Sequence, residues 1–582
     1  MKIIIIGGVA GGATAATRLR RLSEKDEIII YERDNHIAYA NCGLPYYLGG
    51  TIKKRSALEV QSPKGLKSRF NIDVKIRHEV TEIDVRKKVV KVKDLETGKV
   101  FEDNFDKLIV SCGAVPRKPN IKGLAEAENL FTLRNLTDTF EIDDYINANH
   151  PKNVVVVGGG FIGIEMAENL RERGLNVTLV EMLPQLMSTL DFEMAQFVHE
   201  EMNNHGVEII LNQGVEAFED KGKIVSLSDG RKLLSDLTIF AIGVAPESTL
   251  AKNANLKIGP RGHVQVDSNL NVLSEDGKPI TDIFAAGDMI EVINPIDNSV
   301  YAVPLAWGAN RQGRLIADRI NGYEISAPKI MGVSALKVFN LNVATVGMNE
   351  KTLKAKNIEY VAVHAHRGNH AGYYPGSTMI SLKLLYDKKS GKIYGAQAVG
   401  QDGTEKRIDV IATAMKGGLN AFELADIEIC YAPPFSSAKD PTNILGYIAE
   451  NISKERYIPF YAQDVKKLVE EKVFLVDVRT SSEVQKGSIE SAKHIDVDTI
   501  RDNLDKFPKD KNEKIYIFCQ VGLRGYIAAM ILKNNGYKNV YNLSGGYYTY
   551  KTYTRELCVT VCKEPTRILG GDNQMPCDIK KG

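Results

Sequence analysis

The 582-residue sequence lacks several features that would place it in a specialised class of protein. It has no apolar run of about 18 residues, the length that a membrane-spanning helix needs. Its net charge of +2 gives no reason to expect binding to nucleic acid. Its seven cysteines are irregularly spaced and form no Cys-x-x-Cys pair, so neither a disulfide framework nor a zinc site is predicted. We therefore expect a cytoplasmic protein with free thiols, no bound metal, no nucleic-acid partner and no membrane contact.

The composition that is present is typical of folded domains on a long chain. Hydrophobic residues make up 43% of the sequence and charged residues 25%, as in ordinary globular proteins. A chain of this length is too long for a single hydrophobic core, so about three or four domains are expected.

Two glycine-rich turns, about 150 residues apart, each follow a run of β-branched residues. The first turn comes after the isoleucines at 3–6, and the second after the valines at 154–157. Each leads into a helix-forming stretch, and a later strand ends on an acidic residue, as in a dinucleotide-binding βαβ unit. Two such units predict two bound dinucleotides and electron transfer between them. The predicted contacts are Gly7, Gly8, Gly11, Gly12 and Glu32 in the first unit, and Gly158, Gly160, Gly163 and Glu181 in the second.

The two turns differ at their middle position. The second turn has all three glycines of the fingerprint, whereas Val9 stands at the middle glycine position of the first. Glycine allows the backbone to approach a pyrophosphate, and the helix N-terminus supplies N–H donors. The terminal carboxylate hydrogen-bonds ribose hydroxyls and repels a 2′-phosphate, so Glu181 favours NADH over NADPH at the second site.

Three further segments resemble parts of flavoproteins. Residues 281–288 end in Gly-Asp and resemble the segment whose aspartate binds the ribityl chain of FAD. Residues 108–114 and 238–243 resemble the strands that return the chain between two nucleotide domains. Over roughly residues 1–445 the chain is similar to the flavoprotein disulfide reductases, and among them to the coenzyme A disulfide reductase and NADH-dependent persulfide reductase group. The resemblance implies FAD in the first unit and NADH in the second, with further cofactor contacts from Arg33, Gly113, Gly243, Gly287 and Asp288.

Cys42 is the predicted redox residue. It lies ten residues after Glu32, where the resemblance brings the chain back towards the flavin. Glutathione-reductase-like enzymes carry a second cysteine after four intervening residues, and here that position is Tyr47. A single thiol cannot form an internal disulfide, so it cycles through a mixed disulfide, a persulfide or a sulfenic acid. We expect the oxidised flavin and a helix terminus to lower the pKa of Cys42 and make it nucleophilic.

The residues around the predicted redox site favour a disulfide substrate. The first glycine turn contains no histidine, which argues against the branch of the family that reduces peroxide or oxygen. The disulfide-reducing branch uses tyrosines from the partner subunit to protonate the departing thiolate. The matching positions are Tyr373, which is favoured over Tyr374, and Tyr431. The resemblance therefore implies a homodimer.

Coenzyme A, as substrate or bound ligand, needs cations for its phosphates. The resemblance places its contacts at Arg18, Arg21, Asn41, Asn310 and Arg314. Arginine forks match phosphate geometry well. A solvated basic helix face is the alternative interpretation of any one of these arginines.

A second cysteine site is predicted near the C-terminus. A buried strand ends at Asp477-x-Arg479, and another strand runs into Cys519, a short loop and a helix. The loop 519–524 resembles that of a rhodanese domain, whose backbone N–H groups surround one sulfur. The resemblance implies that Cys519 is held as a thiolate or persulfide and that Arg524 attracts an anionic donor. Ser488 departs from the pattern, because rhodaneses usually carry histidine there.

Together these motifs predict an α/β protein with two Rossmann-like dinucleotide-binding domains, an α+β dimerisation domain and a C-terminal rhodanese-like α/β domain. The tail, 557–582, holds Cys558, Cys562 and Cys577 and has no predicted function. The expected ranges are 1–151 and 274–325 for the FAD domain, 152–273 for the NADH domain, 326–451 for the dimerisation domain and 460–556 for the rhodanese domain.

The predicted activity is an FAD-dependent NADH:disulfide or persulfide oxidoreductase joined to a sulfurtransferase. Its expected partners are coenzyme A disulfide, coenzyme A persulfide, other low-molecular-weight persulfides or polysulfide, reduced at Cys42. One alternative is an NADH oxidase or peroxidase, which would consume NADH with oxygen or peroxide as fast as with a disulfide. Another is a sulfur-transfer protein with an auxiliary flavin module, in which Cys519 rather than Cys42 carries the main activity.

Overall fold

The computed structural model describes residues 1–555, which fall into two compact units. The first unit comprises Met1–Pro184 and Gly206–Met331. The second comprises Gln185–His205 and the described chain from Gly332 onward. The predicted cysteine-containing tail, 557–582, lies outside the described residues.

The first sheet of the first unit is built around the isoleucine run at the start of the chain. Ile3, Ile4 and Ile5 are fully buried in a central strand, as expected for a parallel strand covered on both faces. Its neighbours on both sides are parallel, and only the edge strand Asn271–Leu273 pairs in the antiparallel sense. In spatial order the strands are Asn271–Leu273, Pro279–Ala285, Lys107–Val110, Lys2–Ile6, Glu27–Tyr31 and Asp73–Lys75.

The second sheet of the first unit is entirely parallel and repeats this architecture. It includes Leu130–Phe131, which precedes residue 152, while Asn271–Leu273 belongs to the first sheet. The chain passes between the two sheets at a short antiparallel pair, Ala114–Pro116 with Val244–Pro246. The crossovers therefore lie before the expected boundaries at 151 and 273. In spatial order the strands are Glu208–Ile210, Asn176–Val180, Asn153–Val157, Leu237–Phe240 and Leu130–Phe131.

Helices and small antiparallel sheets complete the first unit. The helices are Ala10–Leu22, Leu44–Leu48, Pro63–Phe70, Leu136–Asn149, Phe161–Glu172, Thr249–Asn253 and Ala306–Ile320. The antiparallel strands are His78–Asp84, Val89–Asp94 and Val100–Asn104 in one sheet, Val215–Glu219, Ile224–Leu227 and Lys232–Leu234 in another, and Val292–Ile293 with Val300–Tyr301.

The second unit contains an antiparallel five-stranded sheet. In spatial order the strands are Ser334–Val338, Leu341–Gly347, Ile393–Gly400, Met379–Tyr386 and Val361–Gly368. The helices of this α+β region are Phe192–Asn204, Glu350–Ala355, Thr404–Gly417 and Pro441–Ser453.

The C-terminal domain of the second unit is a parallel five-stranded sheet with helices. Its first strand begins at Ile458, two residues before the expected boundary. In spatial order the strands are Ile458–Phe460, Asn539–Leu543, Lys514–Phe518, Phe474–Asp477 and Lys493–His494. The helices are Val465–Glu470, Ser481–Val484, Leu523–Asn534 and Gly546–Tyr553.

None of the helices that residues 1–555 form is both long enough and apolar enough to cross a membrane.

Candidate active sites

The two glycine turns predicted to bind dinucleotides have closely similar geometry. A Cβ atom at Gly12 would lie 1.9 Å from the carbonyl oxygen of Gly7, and one at Gly163 would lie 1.8 Å from that of Gly158. Only glycine allows each helix to begin so close to its strand. This contact explains the last glycine of each motif.

The acidic residue that ends each unit reaches its glycine turn. Glu32 accepts a hydrogen bond from the backbone N–H of Gly8 at 2.9 Å, and Glu181 accepts one from Gly159 at 2.6 Å. Each carboxylate therefore lies beside the helix N-terminus, where a dinucleotide pyrophosphate and its ribose would bind. The sequence patterns thus assemble into two sites of the same design.

A cavity of about 540 Å³ in the first unit begins at the first glycine turn. Its lining residues come from the strands that flank the turn and from the Gly-Asp segment. Burial raises the pKa of Asp288 at its wall. The residues fit FAD, because the cavity combines a pyrophosphate-binding turn with polar groups for the ribose and ribityl hydroxyls. Predicted residues in the lining are Gly7, Gly11, Glu32, Arg33, Asn41, Gly113, Gly287 and Asp288.

The second turn leaves space for a nucleotide. A Cβ atom at Gly160 or Gly243 would meet no atom of the described chain within 4 Å. The residue after Glu181, Met182, is 71% exposed and carries no charge. Glu181 thus has an uncharged residue beside it where a cation could bind a phosphate. Its carboxylate fits the ribose hydroxyls of NADH better than the 2′-phosphate of NADPH.

Cys42 lies in a short 3₁₀ turn, Asn41–Gly43, that leads directly into the helix Leu44–Leu48. The residue is exposed, but the surrounding protein partly desolvates its thiol. This desolvation, reinforced by the negative charges of Glu165 and Asp288, raises the pKa of Cys42. We expected a helix terminus to lower this pKa, and among the protein groups alone that expectation is wrong. The helix has only five residues, and burial and two carboxylates outweigh its effect on the pKa.

Glu165 is a site residue that the sequence reasoning missed. It lies on the helix Phe161–Glu172, two positions after the last glycine of the second turn, and its Oε1 lies 3.4 Å from the hydroxyl of Tyr46. Burial raises its pKa to about 7, and the charge of Glu168 adds to the effect. The signal in the sequence was an acidic residue inside an otherwise apolar helix start, Phe-Ile-Gly-Ile-Glu. This carboxyl therefore connects the helix of the second glycine turn with the short helix that follows Cys42.

Tyr47 explains structurally why the motif carries one cysteine. Its hydroxyl donates to Asp143 at 2.8 Å and accepts from Nε of Arg55 at 3.2 Å. Asp143 also accepts a hydrogen bond from Arg173 at 2.9 Å. The position that would hold a second cysteine is therefore part of a hydrogen-bonded contact between helices.

The two predicted proton donors come together in the second unit. The hydroxyls of Tyr373 and Tyr431 are 3.0 Å apart, although the residues are separated by 58 positions in sequence. Tyr373 is 75% exposed and Tyr431 is 49% exposed. The hydrogen bond to Tyr431 raises the pKa of Tyr373.

The predicted phosphate contacts divide into paired and exposed residues. Arg18 donates to Asp318 at 2.7 Å, and Asn310 accepts from Thr14 at 2.6 Å, so these two residues join the helices Ala10–Leu22 and Ala306–Ile320. Asn41, Arg21 and Arg314 are exposed to solvent. The exposed arginines are therefore the more available cations for a phosphate.

Cys519 follows a buried strand, as predicted, and its thiol is enclosed by backbone. The residue is 1% exposed, and the N–H of Gly522 donates to Sγ at 3.1 Å. Two further N–H groups, from Tyr547 and Tyr548, bind the carbonyl oxygens of Cys519 and Gln520 at 2.7 and 2.9 Å. The starts of two helices, Leu523–Asn534 and Gly546–Tyr553, thus hold the loop.

The arginines around Cys519 are paired with carboxylates. Arg524 forms a bidentate ion pair with Glu483, a residue that the sequence reasoning did not select. Arg479 is buried and donates to Asp477 at 2.7 Å. Ser488, where histidine was expected, donates to the same Asp477 carboxylate at 2.7 Å. Arg524 therefore does not present the free cation that the loop motif suggested.

Three buried carboxylates of the second unit have the spacing of metal ligands, but a lysine lies among them. Asp191, Glu193 and Glu350 converge on Nζ of Lys383. Burial alone would lower the pKa of Lys383, and the three carboxylates reverse this and raise it. The charged ammonium occupies the centre that a metal ion would need.

Family models match three consecutive parts of the chain. Residues 1–306 match the pyridine nucleotide-disulphide oxidoreductase model, and residues 333–441 match the dimerisation domain model of pyridine nucleotide-disulphide oxidoreductases. Residues 461–553 match the rhodanese-like domain. The predicted fold class is confirmed by these matches and by the sheets described above.

Relatives and solved structures share this organisation. The chain is 36% identical over 450 residues to coenzyme A disulfide reductase of Staphylococcus aureus strain JH9, covering 77% of this chain and all of the relative. The structure resembles reduced Bacillus anthracis CoADR-RHD, with a TM-score of 0.92, 48% identity, and 95% and 98% of the two chains covered. It also resembles an NAD-dependent persulfide reductase from A. fulgidus, with a TM-score of 0.87, 33% identity, and 94% and 100% covered.

Proposed function

The chain belongs to the pyridine nucleotide-disulphide oxidoreductase family, and from that premise we propose that it uses NADH to reduce a disulfide or persulfide of coenzyme A. The observation that carries the proposal is the accessible, single Cys42, which follows the FAD-type unit while Tyr47 is committed to Asp143 and Arg55. A lone thiol has no partner for an internal disulfide, so any disulfide or persulfide at Cys42 has to form with an external sulfur compound.

Two groups of residues would hold the cofactors. The cavity at the first glycine turn, with Glu32 and Asp288, would hold FAD, and the second turn, with Gly160 and Glu181, would hold NADH. When bound, FAD supplies a two-electron relay between the nicotinamide and the sulfur site. Arg21, Arg314 and Asn41 would bind coenzyme A, while Arg18 and Asn310 hold together the helices that carry them.

The chemistry of Cys42 is thiol exchange. Its thiolate attacks one sulfur of a coenzyme A disulfide, a new S–S bond forms to Cys42, and the other coenzyme A leaves with the electron pair of the broken bond. Tyr373 and Tyr431 of the partner subunit would protonate the departing thiolate, since their hydroxyls share a hydrogen bond and are exposed. A homodimer is therefore part of the proposal, supported by the match to the dimerisation domain.

The rhodanese-like domain adds sulfur transfer at Cys519. The N–H of Gly522 and the helix starts at the loop would hold a sulfur anion or persulfide at this position. Its fusion to the reductase favours persulfide or polysulfide as the physiological substrate over plain coenzyme A disulfide. We place the enzyme in the cytoplasm, where free thiols such as Cys42 and Cys519 remain reduced.

The test is anaerobic stopped-flow oxidation of NADH by the FAD-loaded protein. We expect rapid turnover with coenzyme A disulfide, coenzyme A persulfide or polysulfide, and a loss of at least about a thousandfold in Cys42→Ser. Flavin absorbance serves as the control that the variant still binds FAD. If only oxygen or peroxide accepted electrons, the proposal would be wrong and an oxidase would take its place.

A further inference from the structure

The side chains at the mouth of the Cys519 loop select among sulfur donors by charge. We propose that the Glu483–Arg524 ion pair makes this loop selective for organic persulfides over the thiosulfate dianion, an inference that rests on the proposed sulfur transfer at Cys519. Glu483 is then the specificity-determining residue of the loop. Both donor classes offer a sulfane sulfur, so the distinction lies in what surrounds that atom.

The first argument is that the cation of Arg524 is already neutralised. Its two terminal nitrogens donate to the two oxygens of Glu483 at 2.7 and 2.6 Å. The hydrogen bond from Arg524 lowers the pKa of Glu483 to about 2, so both groups are charged at neutral pH. A dianion that approached the loop would have to separate a bidentate pair or meet the carboxylate.

The other charges around the loop do not restore a positive field. Arg479 is bound to Asp477 and also donates to the side chain of Gln520 at 3.2 Å. Asp496 is close enough for its charge to raise the pKa of Arg524. Two arginines thus face three carboxylates, a balance that repels a dianion more than a monoanion or a neutral group.

The N–H donor inside the Cys519 loop and the apolar side chains at the rim of the loop, Leu523 and Ile527, fit a persulfide. The N–H of Gly522 donates to Sγ at 3.1 Å, which suits one added sulfur. Leu523 and Ile527 are 46% and 41% exposed, and four-residue spacing puts them on one face of the helix that starts at the loop. Apolar side chains at this rim match the alkyl arm of an organic thiol.

The transfer step balances for both donors, so selectivity has to come from the site. The Cys519 thiolate attacks the outer sulfur of a persulfide, the Cys519 S–S bond forms, and the organic thiolate leaves with the electron pair of the broken bond. With thiosulfate the same bond forms and sulfite leaves. No external oxidant or reductant is needed in either case.

The experiment measures persulfide formation at Cys519 by mass spectrometry in the FAD-loaded full chain. The donors are coenzyme A persulfide, glutathione persulfide and thiosulfate. We expect the organic persulfides to load wild-type Cys519 at least about a hundredfold faster than thiosulfate, with the gap narrowing as salt screens the repulsion. Glu483→Gln should raise thiosulfate loading about tenfold and change persulfide loading by less than about threefold.

This substitution removes the charge while keeping the local fold. Glu483 closes a capping box with Thr480, and glutamine serves equally at that position. Glu513→Gln is the matched control, because this exposed carboxylate precedes the strand Lys514–Phe518 and lies a strand length from Cys519. The control should leave both rates unchanged.

The outcomes separate this inference from the proposed function. Equal loading by thiosulfate and persulfides in the wild type, or no response to Glu483→Gln in a variant with an unchanged melting temperature, would overturn the charge selection alone. Failure of every donor to load Cys519 would overturn the proposed sulfur transfer and the selection with it. The salt dependence of the wild type decides the question even if the variant does not fold.

Discussion

The two cysteines that carry the proposed chemistry are held in opposite ways. Cys519 is buried, the N–H of Gly522 donates to its sulfur, and N–H groups at the start of a second helix bind the carbonyl oxygens of Cys519 and Gln520. Cys42 is exposed, and partial burial of its thiol, together with the charges of Glu165 and Asp288, raises its pKa. In the proposed mechanism the fold alone prepares Cys519 for sulfur chemistry, whereas Cys42 would depend on FAD and substrate bound beside it.

The largest effect should come from removing each thiol separately. Cys519→Ser should abolish transfer of sulfane sulfur to cyanide yet leave NADH oxidation with coenzyme A disulfide within about twofold of the wild type. Cys42→Ser should abolish NADH oxidation with coenzyme A disulfide and leave sulfur transfer to cyanide, because different groups surround the two thiols. Assays of both activities on both variants, each loaded with FAD, check this crossed pattern.

A result in which either serine variant loses both activities would break the comparison. The two cysteines would then act in one obligatory relay rather than as separately prepared sites. The persulfide content of Cys519 in the Cys42→Ser protein, read by mass spectrometry, distinguishes a blocked relay from a damaged fold.

The second effect tests whether the backbone prepares Cys519. Gly546 has a φ of +66°, and a Cβ atom there would lie 2.4 Å from the carbonyl oxygen of Cys519. Gly546→Ala should therefore shift the loop at a strain of about 1–3 kcal/mol and slow sulfur loading about 10- to 100-fold. The rate of persulfide formation at Cys519 measures the change.

Gly43, beside Cys42, provides the matched substitution. A Cβ atom there would meet side-chain carbons of Leu58 and Ile52 at 3.0 and 3.3 Å, and these can move. Gly43→Ala should slow NADH-dependent reduction by less than about tenfold. A larger loss at Gly43 than at Gly546 would contradict the view that only the second site is built from backbone.

The sequence predicted those parts of both sites that local patterns encode. These parts are the glycine turns, their acidic ends, Cys42 and the Cys519 loop. Each belongs to a strand, a turn and a helix start that follow one another within about 30 residues. The sequence pointed to segments 108–114 and 238–243 as the strands that return the chain between the nucleotide domains. The expected boundaries were nevertheless set too late, at 151 and 273, because the crossover strands Ala114–Pro116 and Val244–Pro246 have three residues each and no periodic signal.

The partners of the reactive groups were missed for a different reason. Glu165 lies 119 positions from Tyr46 in sequence, and Glu483 lies 41 positions from Arg524. Tertiary packing creates both contacts, so a single sequence gives no signal that the residues meet. For the same reason the sequence did not show that burial, with the charges of Glu165 and Asp288, raises the pKa of Cys42, or that Arg524 is paired with Glu483.

The smallest effect should come from substituting Glu165, which tests whether a carboxylate raises the pKa of Cys42. Its charge raises the pKa of Cys42, so Glu165→Gln should lower that pKa and speed alkylation of Cys42 by iodoacetamide about threefold near pH 7.5. The pH dependence of alkylation in the reduced enzyme measures the shift. Glu172→Gln, at the end of the same helix, is the charge-matched control.

The same variant makes a prediction for stability, with a definite sign. Burial raises the pKa of Glu165 from 4.5 to about 7, so the folded protein binds its proton more tightly than the unfolded chain. The ionised group therefore costs nothing below pH 4.5, and its cost grows until the pH passes about 7, reaching at most about 3 kcal/mol. Glu165→Gln should match the wild type in thermal denaturation at pH 4.5 and exceed its melting temperature at pH 8. Equal melting temperatures at pH 8, together with unchanged alkylation, would show that Glu165 does not act on Cys42, and the contrast between the two thiols would then rest on Cys519 alone.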